Sequence, residues 1–195
     1  MSLQGLKIGV ALTGSHCTFQ IVFNQIECLV NQGAIVYPII SDCVSKTDTR
    51  FGEGQNWISR LKELTGKEII DTIVKAEPIG PEDFLDVILV APCTGNTLAK
   101  IANGLVDTPV LMAVKAHLRN LKPVVIAIST NDGLGINAKN LGLLLNTKNI
   151  YFVPFGQDSP FKKQNSLVAH MEQISNTIIE ALKNRQLQPL LVEYK

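Results

Sequence analysis

The sequence predicts a three-layer α/β/α protein, Rossmann-like or flavodoxin-like, with a parallel sheet of about five to six strands. Three observations support this. Short apolar runs alternate along the chain with segments of helical periodicity. Loops rich in Gly, Ser, Thr and Asn follow the apolar runs. The length of 195 residues, of which 46% are hydrophobic, suits one domain with a single core.

Composition and charge exclude several classes of protein. The net charge of +1 lacks the basic excess of a generic nucleic-acid binder. No apolar run reaches the ~18 residues that a membrane span needs, and the N-terminus does not resemble a signal peptide, so we expect a cytoplasmic protein. The cysteines show no C-x-x-C spacing, which favours neither a metal site nor a disulfide framework: they are Cys17, Cys28, Cys43 and Cys93.

The first 40 residues predict a strand–helix–strand unit. Lys7–Leu12 is an apolar run typical of a buried strand. His16–Asn31 carries apolar residues on one helical face, and Gly33 is a natural residue to end that helix. Ala34–Ile40 follows as the second strand, and such a unit implies parallel strands.

The same reasoning assigns the rest of the chain. The strands that we predict are Asp86–Ala91, Pro123–Ile128 and Ile150–Val153, the last in the chain. The helices that we predict are Leu98–Ala102, Pro109–Leu118, Ala138–Leu145 and a C-terminal helix over Ser166–Leu182.

We treat residues 1–195 as a single domain with two additions. Residues 42–81 form an excursion beside the strand ends, with helices predicted over Gln55–Leu64 and Lys67–Ile73. Such an excursion is either a lid over the active cleft or a surface decoration. Residues 185–195 are a C-terminal tail.

Ligands of parallel α/β sheets bind outside the carboxyl ends of the strands, so the loops there are the candidate site. The first loop contains Gly14 and Ser15 and opens a helix, which suits a single phosphate; the alternative is an ordinary helix cap. Ser41 ends the second strand and adds a hydroxyl near the same place. His16 is either a neighbour of this site or a surface residue.

A third loop follows the strand Asp86–Ala91. Its small residues would let a flat ring approach the backbone, and its hydroxyls and amides would donate to that ring. The alternative is a polar turn in which Asn96 caps the next helix. The candidate residues are Ala91, Pro92, Thr94, Gly95, Asn96 and Thr97.

The residues Ala91–Asp107, APCTGNTLAKIANGLVD, and Thr13–Gln20, TGSHCTFQ, resemble motifs of the flavin-containing cysteine decarboxylase superfamily. That resemblance implies FMN as the cofactor. Its phosphate would be held by Gly14, Ser15 and Ser41. The isoalloxazine ring would be lined by Thr94, Gly95, Asn96 and Thr97, beside Ala91 and Pro92. Asn131 would meet a substrate carboxylate.

Two departures separate the chain from the decarboxylases of that superfamily. Their essential histidine is replaced by Pro78, and a methionine of their P-A-M-N motif is replaced by Thr130. We therefore expect no decarboxylation of cysteine-type substrates. The residues that would hold a prenyl phosphate are also not evident, which disfavours prenyl transfer.

Over its whole length the chain resembles one of the two components of the oxidoreductases that make a pyridine dicarboxylate in the mother cell of sporulating bacteria. The segments Ser41–Cys43, Asp48–Trp57 and Met112–Arg119 carry this resemblance. It implies a partner subunit with NADP and a small dicarboxylate substrate. The alternative is a non-catalytic scaffold that binds FMN or phosphate and supports the partner.

Two further expectations concern charges and assembly. A site that binds a dicarboxylate needs positively charged side chains nearby. The alternative for each candidate is an ordinary solvated surface residue. The candidates are Lys115, His117, Arg119, Lys162 and Lys163. The resemblance implies a homo-oligomer built on a trimer, with cofactor sites shared between its protomers. The apolar succession within Leu98–Leu121 is typical of an interface or of packing inside one protomer.

Overall fold

Seven strands and nine helices alternate along residues 2–194, the part of the chain that this computed structural model describes. The strands are β1 Lys7–Leu12, β2 Ile35–Ile40, β3 Val87–Cys93, β4 Val124–Thr130, β5 Ile150–Phe152, β6 Phe155–Ser159 and β7 Lys163–Ala169. The helices are α1 Phe19–Asn31, α2 Asp42–Lys46, α3 Gly54–Thr65, α4 Ile73–Ala76, α5 Ile79–Glu82, α6 Gly95–Ala102, α7 Pro109–Arg119, α8 Ala138–Leu145 and α9 Ile174–Ala181.

A parallel sheet in the order β2-β1-β3-β4-β5 forms the centre of the molecule. Its central strands are continuous apolar runs because both of their faces are covered. Helices α1 and α9 pack on one face, and α7 packs against β2, β3 and β4 on the other. The predicted three-layer α/β/α class is confirmed.

The prediction that β5 is the last strand is wrong. Beyond β5 the chain forms an antiparallel hairpin of β6 and β7. Strand β7 pairs with the carboxyl end of β4, where Ser129 lies opposite Val168 and Thr130 opposite Leu167. The hairpin therefore extends the sheet beside the last residues of β4, where β5 no longer reaches.

The predicted C-terminal helix over Ser166–Leu182 is wrong in its first half. Residues up to Ala169 belong to β7, and helix α9 begins only at Ile174, after a short 3-10 turn. Along β7, buried Leu167 and Ala169 alternate with the partly exposed Val168. The apolar positions of this segment also fit one face of a helix, so the sequence pattern does not distinguish a strand from a helix here. Pairing with β4 makes the segment a strand.

The excursion over residues 42–81 is only partly as predicted. Helix α3 confirms the helix expected over Gln55–Leu64, whereas no helix forms over Lys67–Ile73. Instead, Ile40 N donates to Ile70 O at 3.0 Å and Ile70 N donates to Pro38 O at 2.9 Å. This bridge covers the otherwise unpaired edge of β2.

The C-terminal segment is docked on the sheet. Phe155 N donates to Leu190 O and Val192 N donates to Phe155 O, both at 3.0 Å. The Gln186 amide bonds both main-chain groups of Phe152. Within residues 2–194, no helix has the length and apolar character needed to cross a bilayer.

The apolar succession of Leu98–Leu121 is explained mainly by packing inside the chain. Val110, Leu111 and Val114 are buried against the rest of the molecule. The large apolar side chains of this segment that stay exposed are Leu105, at 52%, and Leu121, at 78% in the turn after α7. This segment therefore gives no support for an interface, and the oligomer expectation rests on the resemblance alone.

Candidate functional site

A cleft of about 1070 Å³ lies at the carboxyl ends of β1, β3 and β4. The β6–β7 hairpin and the segment Thr49–Phe51 of the excursion form parts of its wall. A volume of this size holds a ligand as large as a nucleotide cofactor. Of the residues predicted from sequence, those that line it are Gly14, Ser15, His16, Thr94, Gly95, Asn96, Asn131 and Lys163.

Thr13 joins the first and third loops. Its buried hydroxyl donates to the Pro92 carbonyl at 2.6 Å and accepts from the Thr94 amide at 3.0 Å. Thr94 in turn caps α6, because its Oγ1 accepts from the Thr97 amide at 3.2 Å. The cap of this helix is therefore Thr94 and not Asn96, whose exposed side chain is free to face a ligand in the cleft.

Ser15 does not act as an ordinary helix cap. Its side chain makes no capping hydrogen bond to the 3-10 turn His16–Thr18. Instead, Ser15 Oγ lies 2.8 Å from Ser129 Oγ, which comes from the end of β4. Two hydroxyls from different strands thus meet at the start of the first helical segment, where main-chain amides and the helix dipole favour an anion.

Ser41 has a buried hydroxyl that makes no hydrogen bond to any residue between 2 and 194. It lies beside the end of β1, since its amide donates to the Leu12 carbonyl at 3.1 Å. A buried hydroxyl without a partner is unfavourable unless a ligand or water supplies one. Nearby, a Cβ on Gly14 would lie 2.7 Å from Cys43 Sγ, so glycine lets α2 approach this loop without displacing the Cys43 side chain.

A polar network supports the third loop from beneath. The Thr130 hydroxyl donates to Asp132 Oδ1, and the Asn137 amide donates to Asp132 Oδ2 at 2.8 Å. Asn140 continues the chain by donating to Asn137 Oδ1 at 2.8 Å. Gly95 packs directly on this network: a Cβ there would lie 2.5 Å from Thr130 Oγ1 and 2.8 Å from Asn137 Nδ2.

Charged side chains line the side of the cleft formed by the hairpin. Lys163 pairs with Asp158 at 2.6 Å, and this hydrogen bond raises the pKa of Lys163 above its usual value. His170 Nδ1 lies 3.2 Å from Glu172 Oε1. Arg50 lines the part of the cleft formed by Thr49–Phe51 and makes no ion pair with a carboxylate of residues 2–194.

Burial shifts the ionisation of three groups in or near these elements. It lowers the pKa of His16, whose Nδ1 is buried without a partner among the described residues while its Nε2 lies 4.0 Å from Cys43 Sγ. Burial raises the pKa of the Cys93 thiol, which stays protonated and unreactive. It lowers the pKa of His117 on α7 to about 4.

Several sequence candidates lie elsewhere. Ser41, Ala91, Pro92 and Thr97 are buried and lie beneath or beside the cleft rather than lining it. Of the candidate cations, Lys163 lines the cleft. The cleft is not lined by Lys115, His117, Arg119 or Lys162.

Sequence reasoning missed Arg50 and most of the β6–β7 hairpin. The sequence of β7, KQNSLVA, is polar in its first half and apolar in its second, so the hairpin had no period-two signal. Arg50 had none of its own, because one arginine in a polar loop resembles any solvated surface residue.

Comparison with known proteins identifies the family of the chain and its relatives. The family model described as flavoprotein matches residues 1–186. The B subunit of dipicolinate synthase from Bacillus subtilis (strain 168) is 58% identical over 192 residues, which cover 98% of this chain and 96% of that protein.

Solved structures with the same fold include that of a dipicolinate synthase B subunit and that of an FMN-binding protein. The crystal structure of the dipicolinate synthase B subunit from Bacillus halodurans has a TM-score of 0.91 at 53% identity and covers 99% of both chains. The FMN-binding protein AtHal3 shares the fold, with a TM-score of 0.67 at 18% identity over 94% of this chain and 100% of that one. The chain belongs to the flavoprotein family, in which dipicolinate synthase B subunits are its relatives.

Proposed function

We propose that this chain is the FMN-binding component of a dipicolinate synthase and supports oxidation of dihydrodipicolinate to dipicolinic acid in the cytoplasm of a sporulating mother cell. The observation that carries the proposal is the cleft itself. The loops that line it belong to a chain of the flavoprotein family, and that chain is similar over nearly its whole length to a dipicolinate synthase B subunit. The partner would be the A subunit of dipicolinate synthase, which would bring NADP.

The residues of the cleft fit FMN. The paired hydroxyls of Ser15 and Ser129 line the cleft and suit the oxygens of a phosphate. The Ser41 hydroxyl is buried beside the end of β1 without a partner among the described residues, and it would reach the phosphate only if α2 shifts on binding. Gly14 keeps the first loop free of a side chain that would fill this place. Thr94, Gly95 and Asn96 would line the ring. When bound, FMN supplies a two-electron acceptor beside the substrate.

The chain's own groups would then bind and orient the substrate. Oxidation removes a hydride and a proton from the dihydropyridine ring, so the ring must lie close to its acceptor in a water-poor site. The exposed amide of Asn131 at the cleft would donate to a substrate carboxylate. The network of Thr130, Asp132 and Asn137 would keep that loop in place.

Reconstitution tests this function. The purified chain is mixed with the partner subunit, NADP and dihydrodipicolinate, with and without FMN, and dipicolinate is measured by its absorbance. We expect rapid formation only when both proteins are present, and a faster rate with FMN. An equal rate for the partner alone would contradict the proposal. Full activity from a colourless, flavin-free chain would favour the non-catalytic scaffold.

A variant tests the cofactor site separately. Ser15→Asp places a negative charge against the phosphate and should abolish FMN binding, measured by quenching of flavin fluorescence. Ser59→Asp on the exposed face of α3 introduces the same charge outside the cleft and should bind FMN as the wild type does. Unchanged affinity in Ser15→Asp would refute the assignment of the phosphate site.

A further inference from the structure

The cleft has a deficit of positive charge for a dianionic ligand. Its lining contains three carboxylates, Asp132, Asp158 and Glu172, but only two permanent cations among the described residues, Arg50 and Lys163. Lys163 is already paired with Asp158 at 2.6 Å. Arg50 is thus the permanent cation among the described lining residues that remains available to a carboxylate of a ligand.

Arg50 is presented by a tight turn rather than by a loose loop. Thr49 N donates to Gly52 O at 3.1 Å and Gly52 N donates to Thr49 O at 3.0 Å, so the turn closes on itself. Phe51 N also donates to Thr49 Oγ1 at 3.1 Å. The guanidinium carbon of Arg50 lies 4.8 Å from the centre of the Phe51 ring, a cation–π contact that favours this position of the charge.

The turn is anchored on the protein core. Gly52, with a φ of 139°, packs so closely on the indole of Trp57 that a Cβ would lie 3.0 Å from its Nε1. Trp57 is buried and meets the Phe19 ring edge-on, with ring centres 5.4 Å apart. At the base of the turn, Gly54 N donates to Asp48 Oδ1 at 2.9 Å.

We propose that Arg50 binds one carboxylate of the dicarboxylate ligand and makes the cleft selective for dicarboxylates over monocarboxylates. The inference rests on the proposed function, which supplies the class of ligand. A planar guanidinium can meet a carboxylate through two parallel hydrogen bonds. Holding it on a preorganised turn lowers the entropy lost on binding. The excursion over residues 42–81 thereby acts as a specificity element.

Calorimetry on the FMN-loaded chain tests the assignment, with dipicolinate and picolinate as the two probes. We expect Arg50→Ala to weaken dipicolinate binding about 10- to 100-fold, the range for a charged hydrogen-bonded pair. The affinity for picolinate, which has one carboxylate, should fall much less. The preference of the cleft for dipicolinate over picolinate should therefore be largely lost. Arg50→Lys keeps the positive charge but loses the paired N–H donors of the guanidinium. Its affinity for dipicolinate should therefore lie between those of the wild type and Arg50→Ala.

Arg119→Ala is the matched control, because Arg119 is exposed on α7 and does not line the cleft. It should bind both acids as the wild type does. Equal dipicolinate affinity in Arg50→Ala and wild type would overturn the inference and leave the proposed function intact. Loss of FMN from Arg50→Ala would also overturn it, by assigning the residue to the cofactor. No dipicolinate binding by the wild type would overturn both proposals.

Discussion

Replacing Gly95 by alanine tests the packing of the third loop on the polar network below it. Gly95 is the first residue of α6, and the added Cβ would lie 2.5 Å from Thr130 Oγ1 and 2.8 Å from Asn137 Nδ2, besides meeting Asp132 Oδ1. These atoms belong to side chains held by hydrogen bonds to one another. They can make room only by breaking those bonds or by shifting the start of α6.

The expected loss of stability follows from these contacts. Overpacking of a tight site costs about 1–3 kcal/mol. Losing a hydrogen bond in a partly buried network costs about 0.5–1.5 kcal/mol more. Alanine recovers at most about 1 kcal/mol of helix propensity. We therefore expect the free energy of unfolding to fall by about 0.5–4.5 kcal/mol, and the Tm to fall by about 1–18 °C for a chain of this size.

Gly142→Ala is the matched control. Gly142 lies inside α8, and a Cβ there would meet nothing within 4 Å. The same substitution should therefore raise stability by about 0.5–1 kcal/mol through helix propensity alone. Urea denaturation and thermal unfolding of the flavin-free variants measure both values.

A double variant isolates the cause. In an Asp132→Ala background, one of the three obstructing atoms is gone, so Gly95→Ala should cost less than in the wild type. A Gly95→Ala protein as stable as Gly142→Ala would refute the packing argument. An undiminished cost in the Asp132→Ala background would refute the role of the network.

Three further predictions follow from other parts of the molecule. Burial lowers the pKa of His117 to about 4 from the ordinary 6.5, so the unfolded chain binds the proton first as the pH falls. Between pH 6.5 and 4 the wild type should lose about 3 kcal/mol more stability than His117→Gln in urea titrations. The flavin-loaded chain should release no carbon dioxide from phosphopantothenoylcysteine or a peptide ending in cysteine, since by resemblance Pro78 stands where the cysteine decarboxylases have their histidine. Stoichiometric release of carbon dioxide would show that another residue takes the role of that histidine. Sedimentation should give a trimer-based oligomer, and a monomer near 21.3 kDa with tightly bound flavin would contradict shared sites.

The sequence by itself determined the elements whose pattern is local. Lys7–Leu12 and Ala138–Leu145 have the bounds that were predicted, because each is an unambiguous apolar run or helical face between strong end signals. The loops at Thr13–Ser15 and Thr94–Thr97 were predicted to converge for a topological reason. Parallel strands place their carboxyl ends at one edge of a sheet.

The tertiary structure alone decided the features that depend on a distant partner. Strand β7 exists because the end of β4 needs a neighbour, and Ile70 extends because β2 offers a free edge. His117 is buried and Arg50 reaches the cleft only through packing of α7 and Trp57 against the rest of the chain. Periodicity along a chain reports which side of a segment is apolar. It does not report which edge, ring or cleft that segment will meet, since those contacts join residues far apart in sequence.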